Sequence, residues 1–108
     1  MRAHIFDFEQ RVLVGLGLNM NEVLLLNYLE NFFSSGHAYQ KKFENENYYW
    51  ITYNKILSDL PILNMKTRQL QNVIARLVEK NILKKKNDGK KKMYFNVNFN
   101  VLYDMSIF

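Results

Sequence analysis

KTRQLQNVIARLVEKNIL, residues 66–83, decides how the chain is read. At about 100° per residue, Leu70, Val73, Ile74 and Leu77 fall on one stripe, with Val78 at its edge. The opposite face carries Arg68, Gln71, Asn72, Ala75 and Arg76, and it meets no acid before Glu79. Arg, Gln and Asn present hydrogen-bond groups in pairs, which suits the edges of bases. KKKNDGKKK follows at residues 84–92. Asp-Gly between strand-forming residues is a strong hairpin signal, so strands are expected at about 82–86 and 92–97.

Charge sharpens this reading. Residues 61–92 hold ten basic residues against two acids, a local excess of +8, while the remainder carries −3 and the whole chain +5. An asymmetry of this size within one small domain points to a polyanion on one side. The plainer reading is a solvated lysine flank that serves only solubility. The position of the lysines, around a turn beside the two-faced helix, favours the polyanion.

Upstream, Asn19 and Glu22 form a capping box ahead of NEVLLLNYLENFF, so a helix is expected over residues 20–34, ending near Gly36. Leu25, Leu26, Leu29, Phe32 and Phe33 make it the main core helix. Asp7 and Gln10 suggest another box and a short helix to about Val14, broken by Gly15 and Gly17. GHAYQKKFENEN, residues 36–47, reads as a loop or loose hairpin. NYYWITY, residues 47–53, reads as a strand. Thr52 is placed to cap the helix in YNKILSDL, which Pro61 stops. Asn64 and Thr67 are alternative caps for the two-faced helix. Asn81 stands where the chain leaves it, in a left-handed conformation that Asn tolerates. Tyr94 is expected to pack rather than to touch a sugar. The tail FNVLYDMSIF is apolar, suited to packing on the core helix or to a dimer contact.

The order helix, strand, helix, turn, helix, hairpin is that of a winged helix-turn-helix. The expected fold is therefore α+β, mainly helical, with a two-stranded basic wing. One domain fills residues 1–108: an N-terminal extension at 1–18, the core at 19–98 and the tail at 99–108. Three segments also resemble the N-terminal domains of phage replisome-organiser and replication-initiation proteins of Gram-positive bacteria and their prophages. These are HIFDFEQRVLVGLGLNMNEVLLLNYLENFF, YYWITYNKILSDLPIL and TRQLQNVIARLVEKNIL. The matching motifs are Trp50-Ile51-Thr52-Tyr53 entering the second helix and Arg68-Gln69-Leu70 opening the third. Asn81 departs from the Gly usual there, and Gln71-Asn72 from two basic residues. The resemblance implies binding at a replication origin. It also implies a longer protein whose C-terminal part recruits the helicase machinery, so the chain reads as a domain of a larger protein or as a small stand-alone relative.

Residue chemistry then assigns roles. Arg68, Gln71 and Asn72 would read bases in the major groove. Lys66, Thr67, Arg76, Lys84, Lys85, Lys86, Lys90, Lys91 and Lys92 would hold phosphates, which supplies affinity without sequence information. Double-stranded DNA is the expected partner, with replication proteins and a second copy of the chain as further ones. A transcriptional repressor of the same fold, or a protein-docking winged helix that binds no DNA, are the competing readings. Catalysis is not expected. His4 and His37 form no ligand-spaced cluster, and Gly15-Leu16-Gly17 lacks the rest of a phosphate-binding loop. No metal, cofactor, small-molecule substrate or membrane is expected. The absence of cysteine, of a signal segment and of a long apolar run fits a cytoplasmic protein.

Overall fold

The computed structural model describes residues 4–5, 8–36, 38–89 and 92–98. Among these residues it is an α+β fold of four α-helices and a four-stranded antiparallel sheet. In chain order the elements are β1 (His4–Ile5), β2 (Phe8–Glu9), α1 (Gln10–Gly15), α2 (Met20–Ser34), β3 (Tyr39–Phe43), β4 (Glu46–Trp50), α3 (Tyr53–Asp59), a 3₁₀ turn (Pro61–Leu63), α4 (Thr67–Glu79), β5 (Leu83–Asn87) and β6 (Met93–Val97). Strands β1 and β2 form a small separate pair. The suggested box at Asp7 and the apolar tail at 99–108 lie outside the described residues, as does His37.

Helix α2 starts where its box predicts. The Asn19 side chain accepts the Glu22 N–H at 2.9 Å, and Glu22 Oε1 accepts the Asn19 N–H at 3.0 Å. Both are orphan donors that a helix start must satisfy. Val23, Leu25, Leu26, Leu29 and Phe33 then enter the core. Thr52 Oγ1 caps α3 by accepting the Lys55 N–H at 3.1 Å, and Pro61 follows the helix.

The start of α4 differs from both expected caps. Thr67 is already its first helical residue, and Asn64 sits three residues earlier in the left-handed conformation with φ +50°. The N-cap is Lys66, whose side chain has no acceptor to offer. Gln69 compensates by folding back: its Oε1 accepts the Lys66 N–H at 2.8 Å. The end of α4 follows the expectation at Asn81, which has φ +60°. Its N–H donates to the Val78 carbonyl and the Ile82 N–H to the Leu77 carbonyl, each at 3.0 Å. This paired closure satisfies two carbonyls the helix leaves open, and the apolar pair Leu77 and Ile82 seals it. Next to it, Lys80 Nζ donates to the Leu16 and Gly17 carbonyls at 2.9 and 3.1 Å, tying α4 to the loop after α1.

The segment read as a loop or loose hairpin is an ordered hairpin, with β3 pairing β4 over five residue pairs. Its two turn residues, Glu44 and Asn45, have φ +54° and +69°. Two consecutive positive φ values match the right-handed twist of paired strands. Here no glycine announces them. Strand β4 also pairs β6, through Tyr49↔Phe95 and Trp50↔Tyr94, and β6 pairs β5 from Leu83↔Val97 to Asn87↔Met93. The sheet order is β3-β4-β6-β5. The two-stranded wing of the sequence reading is thus the edge of a larger sheet.

Successive residues of a strand face opposite ways, and paired residues share a face. Leu83, Phe95, Val97 and Tyr49 face the helices. There Phe95 and Leu83 join Leu26, Leu29, Ile56, Leu70, Ile74, Leu77 and Ile82 in one core. Burying each such side chain contributes about 1.5–3 kcal/mol. Tyr39, Phe43, Tyr48, Trp50 and Tyr94 share the outer face.

Candidate nucleic-acid interface

Helix α4 presents the face the sequence marks. Leu70, Ile74 and Leu77 are buried and Val73 and Val78 partly so, whereas Arg68, Gln71, Asn72, Ala75 and Arg76 are exposed. The side chains of Arg68, Gln71 and Asn72 have no hydrogen-bond or ion-pair partner among the described residues. Three multi-donor groups therefore stand in solvent along one helix face, in reach of an incoming ligand. Thr67 and Lys66 are exposed at its start.

Arg76 is different. Its Nη2 lies 3.6 Å from Oε1 of Glu22, a carboxylate with no exposed surface. Glu22 Oε2 has no hydrogen-bond partner among the described residues. A buried carboxylate is costly without a countercharge. Arg76 therefore supplies that charge from α4, with its own side chain half exposed. It serves the fold as well as the surface.

The hairpin lysines do not act as one block. Lys84 and Lys86 point to the outer face of the sheet. Lys84 Nζ sits 3.0 Å from both oxygens of Glu46, and Lys86 Nζ 3.3 Å from Glu44. The hydrogen bond to Glu46 holds the Lys84 ammonium above the usual lysine range. Lys85, paired with Phe95, points to the helical side, where it is exposed and unpaired among the described residues. Lys92 lies over the rings of Trp50 and Tyr39, 5.2 and 5.7 Å from their centroids. Lys90 and Lys91 lie outside the described residues. Of the described hairpin lysines, strand alternation puts Lys85 on the helix side of the sheet, beside α4, and Lys84 and Lys86 on the outer side, where Lys92 also lies over its rings. Tyr94 is buried, as expected of a packing residue, and burial pushes its hydroxyl pKa up.

Sequence reasoning missed the outer face itself. Tyr39, Lys41 and Phe43 alternate at period two, as do Tyr48 and Trp50. That is a strand signal, but the polar residues between them and the glycine-free turn hid it.

No protein-family model, curated protein or solved structure matches the chain. Among the described residues no helix is long and apolar enough to cross a membrane, and no group of His, Asp or Glu is placed to hold a metal ion.

Proposed function

We propose that this is a winged-helix domain that binds double-stranded DNA in a sequence-dependent way, in the initiation of phage or plasmid replication. Helix α4 is the reading element. Arg68 addresses guanine, and Gln71 and Asn72 address adenine, a combination suited to an AT-rich site. Lys85 on the hairpin, with Lys66 and Thr67 at the start of α4, holds phosphates. The reading rests chiefly on one observation: Arg68, Gln71 and Asn72 are exposed and unpartnered on one helix face. Two features of the fold support it. Helices α3 and α4 are joined by a short turn, and β4 pairs β6 so that the β5–β6 hairpin flanks α4.

Selection of bound duplexes from a random pool tests the proposal. A recurring AT-rich site supports it. A palindrome with half-sites about one helical turn apart assigns the domain to the repressors instead. Absence of duplex binding even at low salt overturns it in favour of a protein-docking domain.

A further inference from the structure

The sheet's outer face carries features that the duplex reading leaves unused. Tyr39 and Trp50 are direct cross-strand partners at one end of the β3–β4 hairpin. Tyr39 is 61% exposed, and Trp50 is half-buried. Phe43 continues the aromatic surface, 5.5 Å from Tyr94 and 5.3 Å from Tyr48 between ring centroids. Beside Tyr39 and Trp50 opens a largely apolar cleft of about 310 Å³, floored by Phe32, Ala38 and Ile51.

Two cations accompany these rings. Lys92 lies over Tyr39 and Trp50, and Lys41 over Phe43 and Tyr94, 5.4 and 5.9 Å from their centroids. Neither ammonium has a carboxylate partner among the described residues. The nearby acids are otherwise engaged: Glu46 with Lys84, Glu44 with Lys86, and Asp88 Oδ1 with the Lys92 backbone N–H at 3.4 Å.

We infer that this outer face is a binding site for single-stranded nucleic acid, separate from α4. Bases stack on Tyr39 and Trp50 and enter the adjoining cleft, while Lys92 and Lys41 neutralise phosphates. The complementarity is twofold. Unpaired ammonium groups call for an anion, and the open ring of Tyr39 beside the half-buried Trp50 calls for a flat partner. Unpaired strands supply both in alternation, because every base has a π-face and every linkage a charge. A duplex hides its bases in the stack. An acidic peptide meets the charge but leaves the rings unused.

Trp50 is the chain's one tryptophan, so its emission reports directly on the site. The full chain is titrated with an oligothymidylate of about ten nucleotides, within the usual site size of a small single-strand binder. A fully abasic strand of equal length and polyaspartate are titrated in parallel. The expected result is quenching by oligothymidylate, with the abasic strand binding about tenfold more weakly, as loss of stacking requires. Tyr39→Leu, at a position open enough to leave the fold intact, weakens oligothymidylate binding by a similar factor. Lys92→Gln weakens it and flattens its salt dependence. Arg68→Ala leaves it unchanged, which separates this site from the duplex surface on α4. Equal binding of the abasic strand overturns the inference. So does preferential binding of polyaspartate, which assigns the face to an acidic protein, or an absence of quenching.

Discussion

Lys84 donates to both carboxylate oxygens of Glu46 at 3.0 Å, while its neighbour Lys85 leaves the opposite face of the same strand with no ion-pair partner among the described residues. Two adjacent lysines, alike in sequence, thus have different duties. Under the duplex-binding proposal, Lys85→Ala lowers affinity for all duplexes alike. It also reduces the slope of log affinity against log salt by about one, the loss of one phosphate contact. Lys84→Ala removes a partly exposed ion pair worth no more than about 1 kcal/mol to the fold and leaves the duplex slope unchanged. Binding titrations at several salt concentrations distinguish the two. Equal slope changes would show that the pleat does not sort these charges.

Under the same proposal, Arg68 and Asn72 act on sequence preference instead. Replacing either by Ala should cost about 1–3 kcal/mol on the preferred duplex and much less on a scrambled one, with the salt slope little changed for Asn72. The selection experiment repeated with each variant should relax one position of the site at a time.

Tyr28 on α2 donates its hydroxyl to Asp59 on α3 at 2.5 Å, and Lys55 adds an ion pair at 3.0 Å. The Tyr28 hydrogen bond, then that of Lys55, holds the Asp59 carboxyl below its ordinary value of 3.8. A carboxyl depressed by folding stabilises the native state above its unfolded value, and that contribution fades as pH falls through the folded value. Stability of the native protein should therefore decline below about pH 4 more steeply than that of Asp59→Asn. Asp59→Asn should be the less stable of the two at neutral pH. Thermal unfolding followed across pH 2–7 checks both.

Local backbone chemistry sets two further expectations. Asn19→Ala removes the acceptor for the Glu22 N–H and should destabilise the protein by about 1 kcal/mol. Glu44 holds φ +54° in the β3–β4 turn, where Asn is better tolerated, so Glu44→Asn should gain a few tenths of a kcal/mol to about 1 kcal/mol. It also releases Lys86 from its ion pair. Denaturant unfolding measures both changes.

What could be read in the sequence was what depends on near neighbours. The Asn19–Glu22 box, the Thr52 cap, the left-handed Asn81 and the two faces of α4 each rest on residues within about a turn of one another. What could not be read depends on partners distant in the chain. The hairpin of β3 and β4 turns through Glu44-Asn45 without glycine, and its β4 strand completes the sheet only by meeting β6. Which way Lys84 and Lys85 point follows from registering β5 on β6, and their difference from acids at positions 44 and 46. The start of α4 escapes the sequence because Gln69, rather than a capping side chain, satisfies the Lys66 backbone donor at its entrance.

The ammonium of Lys80 closes on the carbonyls of Leu16 and Gly17. A formal count assigns that charge to the basic flank, yet its donors are given to the chain's own backbone. It works as a rivet between the first helix and the far end of α4. A truncated chain starting at Asn19 would return the cation to solvent, making the flank more attractive to polyanions while unfastening one end of the helix proposed to meet them.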